Sequence, residues 1–202
     1  MQPSDDILVK RIKNGDMDAF ELLVRRYESK VYTVAYRFLG SHADASDLAQ
    51  ETFLRLYQAL PSFRGESSFL TWLYSVTANA CRDEIRRKQR RPVVSWENEV
   101  LNNGSQAVSQ ALGRSRMPTP EEAAEQNELN ELIQQCLNDL PEEQRLILVM
   151  REIQGLSYGE IAGVLECSLG TVKSRLSRAR RAFKDTYNSK REPFGQRSRL
   201  AR

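Results

Sequence analysis

Apolar residues recur at spacings of three and four through most of this chain, and that regularity constrains it to helices packed on helices. Phe20, Leu23, Tyr27, Val31, Val34, Ala35 and Phe38 form one such stripe. Asp18 with Glu21 three residues on fits a capping box at its start, and Gly40 fits the left-handed residue that ends it. A second stripe follows at Ala45, Leu48, Ala49, Thr52, Phe53, Leu56 and Leu60, stopped by Pro61, with Asp47, Gln50, Glu51 and Arg55 on the opposite face. The segment PSFRGESS is too polar and too rich in turn formers to continue it and reads as a loop. A third helix runs from Phe69 to about Arg91 without proline or glycine, packing through Leu70, Leu73, Val76, Thr77 and Ala80, and Pro92 closes the unit.

From Val93 to Pro118 the chain is rich in Ser, Asn, Gln and Gly with no sustained apolar period, the composition of a flexible connector. Thr119, Pro120 and Glu122 then supply the cap, first-turn proline and capping-box acid of a new helix with a core face at Leu129, Leu132, Ile133, Leu137 and Leu140. Pro141 begins the next, with Leu146, Ile147, Met150 and Ile153 inward and Gly155 as terminator. Strand signals are nearly absent. The expected fold is all-α: two small helical domains, 1–95 and 119–188, joined by a flexible linker at 96–118 and followed by a basic tail at 189–202.

The net charge is only +3, but the charges are clustered. Lys173 to Arg202 holds eleven Lys or Arg against two acids, and Ile85 to Arg91 holds Arg86, Arg87, Lys88, Arg90 and Arg91 with no acid. Two separated basic clusters on a balanced background fit two contacts with a polyanion. No window approaches the roughly 18 apolar residues of a spanning helix, and the first residues lack the apolar core of a signal peptide, so a cytoplasmic location without membrane insertion is expected. Cys81, Cys136 and Cys167 stand alone and His42 is the sole histidine. The cysteines read as packing residues or free thiols, and neither metal nor cofactor is expected.

LSYGEIAGVLECSLGTVKSRLSRARRAF, from Leu156 to Phe183, encodes two short helices and a tight turn. Ser157 and Glu160 form a capping box, Ile161, Ala162 and Leu165 line the inner face, and Cys167 to Gly170 makes the turn. The second helix, from about Thr171, turns Val172, Leu176, Ala179 and Phe183 inward and leaves Lys173, Ser174, Arg175, Ser177 and Arg178 outside. This is the pattern of a helix-turn-helix, whose second helix enters the major groove. Arg pairs with guanine edges there, Ser bonds bases or phosphates, and Arg180, Arg181 and Lys184 extend a phosphate-binding surface. In the first domain, Phe63 and Arg64 on the loop, then Phe69, Trp72, Tyr74, Arg82 and Arg86, combine aromatic rings with cations. That mixture suits bases released from a duplex, although Phe69 and Trp72 lie equally well at core spacing.

The run DASDLAQETFLRLYQALPSFRGESSFLTWLYSVTANACRDEIRR resembles region 2 of the sigma-70 family, in the extracytoplasmic-function (ECF) group of alternative sigma factors. LPEEQRLILVMREIQGLSYGEIAGVLECSLGTVKSRLSRAR resembles their region 4. The resemblance implies a non-enzymatic protein that binds the largest subunits of core RNA polymerase and directs it to promoter DNA. It places Asp47, Gln50, Glu51 and Arg55 against the polymerase clamp. It assigns Phe63, Arg64, Ser67, Trp72, Asn79, Arg82, Asp83 and Arg86 to the melted minus-ten element. Thr171, Lys173, Ser174, Arg175 and Arg178 are assigned to the minus-35 element. It also implies an anti-sigma partner, often anchored in a membrane, and a stress or envelope response.

Two rival readings are open on the residues. An ordinary helix-turn-helix regulator of duplex DNA explains the second domain but leaves the polar face at Asp47 and the FRGESSFLTW segment without purpose. A nuclease or recombinase needs a carboxylate cluster or a placed nucleophile, and Asp44 and Asp47 share a helix face without a supporting His.

Overall fold

The computed structural model describes residues 3–90 and 119–200, with Pro120 and 192–200 as backbone only; the linker at 96–118 and Pro92 lie outside the described residues. Among the described residues all regular structure is helical, in two compact units. The first holds α1 (Asp5–Lys13), α2 (Met17–Leu39), α3 (His42–Ala59), a 3-10 turn at Leu60–Ser62, and α4 (Phe69–Arg90).

α2 is the central rod, packed against α1, α3 and α4. Its stripe places Leu23, Val31, Val34, Ala35 and Phe38 entirely out of solvent, each large aliphatic contributing about 1.5–3 kcal/mol by burial. The helix begins earlier than the expected box at Asp18 and Glu21. Asp16 is the cap, accepting the Ala19 N–H at 3.0 Å, while Glu21 accepts instead from Arg25 at 2.5 Å. Asp16 wins because Arg11 Nε, on the preceding helix, donates to it at 2.8 Å and fixes its carboxylate. Gly40 takes φ 78° as expected, and its N–H donates to the Tyr36 carbonyl.

α3 starts at a Ser41 cap and buries Ala45, Leu48, Thr52, Phe53 and Leu56. Pro61 ends the α-helix as read, but the chain makes one further 3-10 turn before leaving. α4 buries a broader face than its stripe implied because α2 and α3 clasp it from two sides. Tyr74, Ala78 and Cys81 are buried with Leu73, Thr77 and Ala80, whereas Leu70 and Val76 are only half-buried.

The second unit holds α5 (Pro120–Asn138), α6 (Glu142–Leu148), a π turn at Val149–Ile153, α7 (Tyr158–Leu165) and α8 (Leu169–Leu200). The Thr119–Glu122 capping box forms in both directions. Leu132, Leu137 and Leu140 are buried with Cys136, but Leu129 is exposed, since only the C-terminal half of α5 carries a buried stripe. Ile153 is likewise 41% exposed rather than inward. The reason is the π turn: the Gln154 N–H donates to the Val149 carbonyl five residues back, and the extra residue per turn carries Ile153 off the face that holds Ile147 and Met150. Gly155 closes the segment at φ 72°. α8 packs on α5 and α6.

The Asp16 carboxyl is held below its ordinary value by the Ala19 N–H and then by Arg11. Its stabilisation is therefore present above the ordinary carboxylate range and lost as pH falls through the depressed folded value. Asp16→Ala is expected to lower the urea midpoint at neutral pH and to erase part of the acid sensitivity, whereas Asp18→Ala leaves both unchanged; equal effects in urea titrations at pH 7 and pH 3 would return the cap to Asp18.

Candidate nucleic-acid interface

In the first unit the chain leaves the 3-10 turn at Phe63, and the sequence-expected minus-ten residues separate into two groups. Phe63 is 9% exposed, its ring 4.8 Å from Trp72 and edge-on to Phe69 at 5.9 Å. The expectation that its face is open to a base is corrected: with Phe69 and Tyr74 it belongs to the core, because a ring at the start of a polar loop gains most by anchoring it. Trp72 is half-buried beside it. The tip, Arg64, Gly65, Glu66 and Ser67, is exposed. Gly65 adopts φ 76°, a turn that a side chain would strain. Ser68 ends the loop by accepting the Thr71 N–H at 3.1 Å.

Along α4, Asn79, Asp83 and Arg86 are exposed and Arg82 is half-buried, its guanidinium donating to Asn79 at 3.2 Å. Asp83, Arg86, Arg87 and Arg90 line a surface cleft, so three of its four walls are cationic. The polymerase-side residues do not stay apart from this surface. Arg55 donates to Asp83 at 2.6 Å and to Glu51 at 2.6 and 3.0 Å, tying α3 to α4. Asp83 foremost, then Glu51, raises the Arg55 pKa above its ordinary value. Lys88 donates to Asp44 at 2.6 Å, and Arg87 pairs with the buried Glu84. Glu51, Arg55 and Asp83, assigned to different partners by sequence, therefore form one internal cluster. Asp47 and Gln50 remain exposed with Leu54 at 66% and Tyr57 at 40%, whose ring meets Phe20 at 4.9 Å. Sequence reasoning missed Leu54 and Tyr57, though their spacing from Asp47 and Gln50 marks a second stripe opposite the core.

In the second unit the Ser157–Glu160 capping box opens α7, and Ile161, Val164 and Leu165 are buried. The turn comes earlier than expected. Glu166 takes the left-handed conformation at φ 50°, and Ser168 caps α8 by accepting the Thr171 N–H, which leaves Leu169 and Gly170 already helical. Val172, Leu176 and Ala179 are buried, and Phe183 is half-buried. Lys173, Ser174, Ser177 and Arg178 are exposed. Arg175 is not a free outward group: it is half-buried and donates to Glu143 at 2.7 Å. Arg180 donates twice to Glu152, at 2.6 and 2.9 Å. Thr171 is half-buried, its hydroxyl 2.9 Å from Ser168. The outward set thus offers one flexible cation, one arginine fork and two hydroxyls, donors matched to base edges and phosphates in a major groove.

No group of three His, Cys, Asp or Glu among the described residues is placed to hold a metal ion, and no described helix is long and apolar enough to cross a membrane. His42 stacks on Tyr36 at 4.2 Å and lies 2.6 Å from the Tyr32 hydroxyl; desolvation, then Arg37, lowers its pKa.

Sigma-70 region 2 matches residues 23–91 and Sigma-70, region 4 matches residues 130–183. The ECF RNA polymerase sigma-E factor of Escherichia coli K12 is 39% identical over 186 residues, spanning 90% of this chain and 93% of that protein. Among solved structures, CnrH in complex with the cytosolic domain of CnrY is similar at a TM-score of 0.66 and 25% identity, covering 93% of this chain and 99% of that one. The sigma factor RpoE of Bartonella quintana, bound to the anti-sigma factor NepR, shares the fold at a TM-score of 0.60 and 20% identity, covering 84% of this chain and 96% of that one. The chain belongs to the sigma-70 family of RNA polymerase sigma factors, in its ECF group.

The cysteines sort by burial. Burial pushes the Cys81 thiol up to about 12 and raises Cys136, while Cys167 is half-buried. Because the thiolate is the reactive form, iodoacetamide near neutral pH is expected to label Cys167 first, with Cys81 and Cys136 protected until the chain unfolds; peptide mass spectrometry showing early Cys81 labelling would contradict this packing.

Proposed function

We propose that this chain is an alternative sigma factor that joins core RNA polymerase in the cytoplasm, directs it to a restricted set of promoters and contributes no catalytic chemistry of its own. The observation that carries the reading is the pairing, in one chain of this family, of an exposed loop beside a cationic helix with a helix-turn-helix whose outward face is Lys173, Ser174, Ser177 and Arg178. The domain division, 1–95, 96–118, 119–188 and 189–202, is part of the same reading.

On α3, Asp47 and Gln50 with Leu54 and Tyr57 present a half-polar, half-apolar surface suited to a polymerase helix; Glu51 and Arg55 shape it from behind. Arg64, Gly65 and Ser67 meet the displaced minus-ten strand, with Trp72 flanking and Asn79, Arg82 and Arg86 along its backbone. Phe63 and Asp83 act from inside, by holding the loop and Arg55. In the minus-35 element, Lys173, Ser174 and Arg178 read or grip the groove, Thr171 sits at its edge, and Arg175 braces α8 through Glu143. An anti-sigma partner, such as the one bound by the Bartonella quintana protein, fits regulation by masking these surfaces in a stress or envelope response.

Run-off transcription over a promoter library, with purified core polymerase and with or without the chain, tests the whole reading. Initiation that depends on the chain is expected. No initiation together with no binding to core would leave a duplex-binding regulator as the better account. Within an identified promoter, Arg178→Ala is expected to lose discrimination at a minus-35 base pair by about 1–3 kcal/mol, and Arg175→Ala to lose less, as read from holoenzyme binding to substituted promoters. Asp47 is exposed and has no described partner, so Asp47→Ala should weaken core binding in a fluorescence titration while the melting temperature stays put.

A further inference from the structure

Lys13 closes α1, outside the stretch that matches region 2. Its ammonium donates to the Phe63 carbonyl at 2.6 Å, across fifty residues of chain. That carbonyl belongs to the peptide from which Arg64 departs, so the bond fixes the plane that aims the exposed tip. Little else does. The Phe63 N–H is tied to Leu60 within the 3-10 turn, and Ser68 is tied to Thr71 at the far end. Between them, Arg64 approaches Glu66 only at 4.0 Å and Ser67 donates to the adjacent Ser68 carbonyl at 3.4 Å. Among the described residues, Lys13 is the one side chain from another helix that hydrogen-bonds this segment.

The post that carries Lys13 is rigid. Leu8, Val9 and Ile12 are buried in the same cluster as Phe63 and Phe69, so α1 and the root of the loop share one core. At the other end of α1, Asp5 accepts from Arg26 at 2.6 Å and from the Tyr27 hydroxyl at 2.5 Å. A hydrogen bond from a cation is roughly twice as strong as one between neutral groups.

We propose that Lys13 is a positioning residue for strand capture: by holding the Phe63 carbonyl it sets the place from which Arg64, Gly65 and Ser67 meet an unstacked base. The inference rests on the capture reading of the loop given above and adds to it a helix that the matched region does not include.

The test uses holoenzyme carrying Lys13→Met or Lys13→Arg, with a promoter identified by run-off. Binding is measured to a single strand bearing the minus-ten non-template sequence, to a scrambled strand, to promoter duplex and to core. Lys13→Met is expected to weaken capture of the minus-ten strand about tenfold, the range for losing a charged hydrogen bond. Lys13→Arg, which still donates, should recover most of it, and duplex and core binding should stay within about twofold. In the free chain, hydrogen exchange at Arg64 to Ser67 should accelerate in Lys13→Met. Unchanged capture, unchanged exchange, or a loss shared equally by duplex and core overturns the proposal. So does a loss accompanied by a fall of about 0.7 in the salt slope, which marks a direct phosphate contact instead. If unsubstituted holoenzyme does not prefer the minus-ten strand to the scrambled one, the capture reading itself falls and the role of Lys13 falls with it.

Discussion

The apolar stripe of α2 is the constraint on which the first unit depends. Leu23, Val31, Val34 and Phe38 are fully buried on a helix packed against α1, α3 and α4, so these three take their positions from it. Gly40 and the Ser41 cap then reverse the chain within two residues, which leaves the polar face of α3 outward with Asp47 and Gln50 in the open. The loop after Leu60 inherits its place from the same core, because Phe63 and Phe69 at its two ends are buried against one another while its tip stays exposed. Hydrophobic burial sets position here, and polar groups set direction.

Direction comes largely from acids that hold arginines. Glu51 and Asp83 hold Arg55, Glu84 holds Arg87, Glu143 holds Arg175 and Glu152 holds Arg180. Most of these pairs are half-exposed, so each adds little to stability. Their effect is on which cations stay available. On α8 no ion pair with a described residue engages Lys173 or Arg178, and both project away from the buried face of Val172 and Leu176. A surface rich in arginine is thereby divided into groups that brace and groups that meet a polyanion.

Much of this was legible in the sequence, for identifiable reasons. Local chemistry read well: the Thr119 and Ser157 boxes, the left-handed Gly40 and the stop at Pro61 each depend on a few adjacent residues. The inward faces of α2, α3 and α8 read well because a 3.6-residue period needs no knowledge of the partner. What failed depends on distant or irregular structure. Asp16 outcompetes Asp18 because Arg11, on another helix, holds its carboxylate. Arg175 looks free until Glu143 is brought to it from 32 residues away. Phe63 looks like a stacking face until Phe69 and Trp72 fold beneath it. Lys13 gave no signal at all, since nothing in its neighbours specifies a bond to a loop fifty residues on.

The π turn at Val149–Ile153 bears on how the second unit tolerates changes in length. An α-helix advances about 100° per residue, so a single-residue deletion there, which would restore an unbroken α-helix, swings everything after it by more than a quarter of a circle. Glu152 would leave the side of Arg180, and Gly155 would no longer fall where the chain must reverse. The segment is thus a fixed-length spacer: its side chains can vary widely, but its residue count sets the angle at which the chain enters the helix-turn-helix.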